Sequence, residues 1–168
     1  MAAFTIISKT TLLGTAWTGT APGPNVDPTT IAGTISSASN ISSYVRGGGE
    51  PTFTTAMEET TGQGAYGFRT VIPGITSGDD LVFEINGDAA ASAVDSIIRT
   101  TLGGVARAGS SPIYCDIKRT SASRSSTNPS SVYAVHISKW SPFKGSTGGV
   151  AIGELVLTVT GSFADLTS

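Results

Sequence analysis

Along most of this chain, hydrophobic and polar positions alternate with a period of two rather than 3.6, the signature of strands with one face buried. Leu81, Phe83 and Ile85 fall on one side of a segment, with Glu84 and Asn86 on the other. Residues 112–119 repeat the pattern, with Ile113, Cys115 and Ile117 set against Tyr114, Asp116 and Lys118. Tyr133, Val135 and Ile137 share a face of a later strand, opposite His136. Leu155, Leu157 and Val159 alternate with Val156, Thr158 and Thr160 in the last one. Nearer the N-terminus, residues 3–13 and 29–37 read as strands joined by the proline-stiffened loop APGPNVDP. A short strand at 41–46 precedes Gly47-Gly48-Gly49.

One segment departs from this period. Ala91, Val94, Ile98 and Leu102 recur at helical spacing and turn one narrow apolar stripe toward a core. Asp88 is placed to cap that helix and Gly103-Gly104 to stop it. The pattern predicts a mainly β fold, a sandwich or barrel, with one α-helix packed on the sheet.

Residues 47–67 fit neither period. They are polar and glycine-rich, with Phe53, Met57 and Tyr66 as their only large apolar groups. Such a stretch cannot build a core, and it far exceeds the two to five residues of an ordinary hairpin loop. It reads as an extended arm that something outside the domain orders. A strand at 67–73 follows, ending in a turn at Pro73-Gly74. Two further polar stretches read as connections: 120–131, a loop or flexible hairpin tip, and the Pro/Gly-rich 141–149. With no internal repeat and no boundary in composition, residues 1–168 read as a single domain.

Composition agrees with the β assignment. The chain holds 22 Ser and 24 Thr, with 21 Gly and 8 Pro to supply turns. Charged residues are 13% of the total, about half the usual share, and the net charge is −2. That balance argues against a dedicated nucleic-acid binder, which carries a basic stripe. It also leaves little long-range repulsion between copies, a condition self-association tolerates. Cys115 is alone, so no intrachain disulfide forms, and its alternating neighbours predict a buried thiol. Lys9 interrupts the only candidate secretion signal, and no stretch approaches a membrane span, so the chain is expected to act where it is made or in a particle assembled there.

A search for chemistry returns mostly absences. His136 is the one histidine, which leaves a His-based metal site short of ligands and a Ser-His-Asp triad without special support. Gly62-Gln63-Gly64-Ala65-Tyr66-Gly67 matches G-x-G-x-x-G, yet a β-like segment follows where a phosphate-binding helix is required. Glu58-Glu59 and Asp79-Asp80 are paired carboxylates, but neighbours on a strand point to opposite faces and read as solvated charges. Asn40-Ile41-Ser42 is a glycosylation sequon that means nothing without secretion. No catalytic residue, cofactor site or metal site is expected.

The order of elements resembles the major tail tube proteins of long, non-contractile-tailed bacteriophages, which share a fold with the tube proteins of contractile injection machines. An N-terminal apolar strand leads to a segment ending near SNISSYV (39–45). TTAMEETTGQGAYG (54–67) is similar to the family's E-x-x-x-T-x-x-x-x-G stretch, and FRTVIPGI (68–75) to its strand and Ile-Pro-Gly element. DLVFEINGD (80–88) with its helix resembles the strand–helix unit. YAVHISKWSPFKGSTGGVAIGELVLTVTGSF (133–163) resembles the closing pair of strands. Two stretches depart from the family: 120–131 is longer than the core requires, and 14–30 has no assignable role.

The resemblance implies a concrete assembly. Six copies would form a ring whose inner strands join one ring-wide β-barrel, and rings would stack into a tube. The arm would reach the neighbouring ring, with Arg46, Glu50, Phe53, Met57, Glu58, Glu59 and Tyr66 as its stacking residues. Ala91, Val94, Ile98 and Leu102 would form the helix core face. DNA and a tape-measure protein would occupy the lumen without sequence-specific binding. Tail terminator and baseplate proteins would close the ends, in a virion tail assembled in the host cytoplasm and away from any membrane. A β-sandwich capsid-decoration or adhesion module is the alternative, with the arm contacting a capsid or glycan. A glycan hydrolase would need two carboxylates in one cleft, and only the Glu58-Glu59 and Asp79-Asp80 pairs offer them.

Overall fold

The computed structural model describes residues 9–50, 52–59, 71–87, 91–102, 111–148 and 150–168. Its strands in chain order are β1 (Thr10–Gly14), β2 (Ala16–Thr20), β3 (Ala32–Ser36), β4 (Ser39–Asn40), β5 (Val45–Gly48) and β6 (Phe53–Glu59). Then follow β7 (Val71–Gly78), β8 (Leu81–Gly87), β9 (Ile113–Lys118), β10 (Ser130–Thr147) and β11 (Val150–Leu166). The helix α1 (Ala91–Ser96) continues as a wider π-helical turn over Ile97–Leu102.

Seven strands form one antiparallel sheet in the order β4-β1-β9-β10-β11-β8-β5, curled into a half-barrel. The predicted alternation decides which face is inside. Leu81, Phe83 and Ile85 are buried while Val82 between them is 44% exposed. They pack with Leu13, Cys115, Tyr133, Val135, Leu155 and Leu157 in one apolar cluster. Val94 and Ile98 of the helix enter the same cluster, and the Trp140 indole donates to Asp95 Oδ1 at 2.7 Å, tying helix to β10. Burial pushes the Cys115 thiol far above its ordinary range, so it stays protonated and inert.

Strand β9 and the start of β10 are buried on both faces, because a second layer covers their back. Asp116, Val132 and Ala134 are buried there. The cover is the two-stranded β2–β3 ribbon. Trp17 of β2 tilts onto Tyr114 with ring centroids 5.4 Å apart. This assigns a role to residues 14–30: the segment after β2 docks on a bulge of β11, where the Ser162 amide donates to the Gly23 carbonyl at 2.9 Å. Gly161 makes that contact possible. Its φ is +79°, and a Cβ there would lie 2.1 Å from the Gly23 carbonyl carbon.

The chain departs from the sequence-based expectations at several places. The strand expected at 3–13 is described only from Thr10, since 1–8 lie outside the described residues. The strand expected at 29–37 starts later, because Asp27 caps a 3-10 turn over Pro28–Thr30. Residues 42–44 form a turn, so of the strand expected at 41–46 only the start of β5 at Val45 and Arg46 is strand. The connection expected at 141–149 is mostly strand, as β10 runs to Thr147 and β11 starts at Val150. Asp88 and Gly103-Gly104, the expected helix caps, lie outside the described residues.

The 120–131 stretch is an ordered connection from β9 to β10. Arg124 folds back so that Nη2 donates to Asp116 Oδ2 at 2.9 Å and Nη1 to the Gly33 carbonyl, with Ser130 Oγ donating to the other carboxylate oxygen. The ion pair is almost dry, with side-chain exposures of 13% and 3%. Arg124→Ala leaves a buried carboxylate without its cation and should cost about 3–5 kcal/mol in urea unfolding. Arg119→Ala, on the exposed side of the same connection, should change stability by less than about 0.5 kcal/mol.

Candidate assembly surface

The residues assigned to the arm form the outer part of one long hairpin. Gly48 of β5 pairs with Phe83 of β8, and Phe53 of β6 pairs with Gly78 of β7. Four residues separate these pairs on each strand, 49–52 and 79–82, so the ribbon keeps the register of its base. The Gly49 amide donates to the Val82 carbonyl at 2.7 Å and the Asp79 amide to the Thr52 carbonyl at 3.1 Å, carrying the ladder across the junction. Gly48 and Gly49 have φ of +84° and +62°, and a Cβ on Gly49 would strike the Phe83 ring at 2.0 Å. The glycine run is therefore the bend at which the hairpin leaves the sheet.

Pro73-Gly74 does not end a strand; it lies inside β7. Thr55 pairs with Thr76 and Met57 with Pro73, so β7 bulges there by one residue. A two-stranded ribbon has no neighbour to need the missing Pro73 N–H, and a bulge absorbs the ring. The chain does not reverse before β8 either, since Asp79-Asp80 continues the same arm of the hairpin.

Among its described side chains the ribbon carries little burial of its own. Phe53, Met57 and Val71 are 45%, 60% and 43% exposed. Its anchor is Phe53, stacked on Phe163 of β11 at 4.2 Å and 3°. Counting that anchor, β6 spans seven residues, and the six beyond it cover about 20 Å of extended chain. Glu58 and Glu59 are exposed near its described end, Arg46 is exposed on β5, and Glu50 holds Lys9 at 2.7 Å. Tyr66 and the G-x-G-x-x-G run at 62–67 lie outside the described residues. Of the helix stripe, Val94 and Ile98 are buried, while the side chains of Ala91 and Leu102 are not among those described.

Several contributors carried no signal in the sequence. Phe163 looks like any strand residue, and nothing local shows that it seats Phe53. Lys9 is far from Lys118 and Arg119 in the chain, yet the pairing of β1 with β9, Thr10 opposite Lys118, brings them together. Lys9 Nζ donates to the Gly48 and Gly49 carbonyls at 2.9 and 3.1 Å, so it spans the two edges of the half-barrel.

The carboxylate pairs do not converge. Asp79 sits at the ribbon base, accepting from Thr54 Oγ1 at 3.0 Å, and Glu58 pairs with Ile72 far along the strand. Asp79 lies level with Thr52, so six residues of β-chain put them about 20 Å apart, against the roughly 5–10 Å of glycosidase carboxylates. Among the described residues, no group of three or more His, Cys, Asp or Glu could hold a metal, and no helix is long and apolar enough to cross a membrane.

No family model and no curated protein sequence matches the chain. Solved structures do. A chain of the six-fold symmetrised cryo-EM baseplate of the anti-feeding prophage is similar at TM-score 0.56 and 11% identity, over 99% of this chain and 97% of that one. This chain has that baseplate chain's fold. A chain in the virion of the native gene transfer agent particle is similar over 77% of this chain and 88% of that one, at 13% identity and TM-score 0.48.

A second projection is the far end of the β10–β11 hairpin, where Phe143 is 71% exposed. Glu154 clamps it, accepting from Lys139 Nζ at 2.5 Å and from Lys144 Nζ. These two hydrogen-bonded cations lower the Glu154 pKa from an ordinary 4.5 to about 2. A depressed carboxylate stabilises the fold above its unfolded pKa and stops doing so once protonated. Stability in urea should therefore fall as pH drops from 4.5 toward 2, and the fall should be shallower in Glu154→Gln.

Proposed function

We propose that this protein is a structural subunit of a phage-type tail tube, a single domain that forms stacked hexameric rings around a conduit for DNA. The observation that carries this reading is the β6–β7 ribbon, an extension of the β5–β8 hairpin beyond the sheet. An isolated two-stranded ribbon is marginal in water, and this one exposes Met57 and Val71. A neighbouring copy supplies the surface it lacks. The fold shared with a chain of a six-fold symmetrised prophage baseplate supports the same reading, as does the tail tube resemblance.

The sheet suits ring closure. Its edges are β4, two residues long, and β5, four residues long, so neither invites uncontrolled pairing. Joined edge to edge, curled sheets close into a barrel without free edges. Stacking through the ribbon is a head-to-tail contact, which propagates into a filament instead of closing. A net charge of −2 suits a conduit that DNA passes rather than binds.

The test is to excise the ribbon. Replacing residues 53–78 by Asn-Gly joins Thr52 to Asp79, already hydrogen-bonded, through a turn sequence of the right hand. The shortened chain should unfold cooperatively like the parent, yet form no tubes in negative-stain micrographs in which the parent does. Full-length tubes from the shortened chain would overturn the role given to the ribbon.

A further inference from the structure

The described lysines and arginines divide into two groups. Lys9, Arg99, Arg124, Lys139 and Lys144 are in ion pairs with carboxylates. Arg46, Lys118 and Arg119 have no carboxylate partner among the described residues, and all three line the same open groove of about 970 Å3. Lys9 lines it too, with Glu50 as its one acidic group. In a chain of net charge −2, this is a local cluster of four cations against one carboxylate.

The groove is a product of the fold. It lies between the two edges of the half-barrel, where Lys9 reaches across from β1 to the carbonyls of Gly48 and Gly49. The 41–44 turn closes the same mouth, since the Ile41 amide donates to the Thr11 carbonyl and the Asn86 amide to the Tyr44 carbonyl. Leu12 and Val45 give the lining an apolar part.

We propose that this groove receives the β6–β7 ribbon of a second copy of the chain. The proposal rests on the tail tube reading and names the surface at which copies meet. The ribbon offers what the groove lacks: Glu58, a carboxylate with no cation partner among the described residues, next to Met57, 60% exposed. The two side chains leave the strand on opposite faces, so within the groove Glu58 meets the unpartnered guanidinium groups of Arg46 and Arg119 on one wall and Met57 meets Leu12 and Val45 on the other. The chain's own ribbon does not serve, because Phe53 seats it on Phe163 of β11, three strands along the sheet from β1. Nucleic acid fits less well, since phosphates would use the cations and leave Met57 of the ribbon exposed.

Charge reversal tests this with full-length protein. Arg46→Glu with Arg119→Glu, and separately Glu58→Arg with Glu59→Arg, should each cut the pelletable tube fraction about tenfold. Circular dichroism should stay that of the parent, because all four side chains are exposed. The chain carrying all four reversals should assemble again. Val45→Cys with Met57→Cys should, on copper-catalysed air oxidation, form a disulfide between heavy- and light-isotope copies in mixed tubes, without competition from the fully buried Cys115. Parent tubes with neither rescue nor a mixed-isotope disulfide would overturn the docking and leave the tube reading standing. A parent that assembles under no condition would overturn the tube reading, and the docking with it. If the groove reversals leave tubes intact but abolish retention of duplex DNA, the groove is a phosphate track and the docking is overturned.

Discussion

A β-hairpin longer than its sheet is the constraint on which the rest of this structure depends. Inside the sheet, β5 and β8 have an inner face that buries Phe83 and Ile85, and β8 has β11 as a second neighbour. Beyond Gly49 the same two strands continue in the same register with neither. Each ribbon residue ordered there loses chain entropy of about 1–2 kcal/mol, and little buried area offsets it. The ribbon's one described aromatic anchor is Phe53 on Phe163. A segment so costly to order and so poorly covered makes sense when another molecule completes it, and that is the physical case for assembly.

The same reasoning separates what could be read in the sequence from what could not. The inner face was legible because period-two alternation is local: Leu81, Phe83 and Ile85 announce it without help from any other segment. The arm was legible as an anomaly but not as a hairpin. Its two strands lie either side of residues 60–70, and their apolar content is too low for alternation to show. Pro73-Gly74 then misdirects, since the pair normally marks a turn and here occupies a bulge of a two-stranded ribbon. Asp116 was placed on a polar face by alternation alone. It is buried because Arg124 and the β2–β3 ribbon arrive from elsewhere in the chain, and such contacts leave no periodic trace.

Residues 14–30 and 120–131, the two stretches that the family resemblance left unexplained, turn out to act together. Arg124 of the second stretch bonds the Gly33 carbonyl of β3 and the Asp116 carboxylate of β9 at once. The first stretch docks through Gly23 on the Gly161 bulge of β11. Together they make the second layer that lets β9 and β10 be buried on both faces. Both are therefore parts of the packed body, which leaves, among the described residues, the ribbon and the end of the β10–β11 hairpin as the elements that project from it.

Sparse charge sharpens what remains. With charged residues at 13%, a surface of Ser and Thr hydroxyls can solvate the protein without committing it to any partner. Most described cations are absorbed by carboxylates within the domain, where they hold connections and hairpin ends in place. An unpartnered cation costs nothing on open surface, but three of them converging where two sheet edges meet raise the local potential and favour an anionic occupant. The ribbon presents the carboxylate of Glu58 on a strand that needs covering, and the groove presents unpaired cations beside the half-buried Leu12 and Val45. Each surface supplies the term missing from the other, so a contact between copies satisfies both at once and a contact with solvent or with DNA satisfies only one.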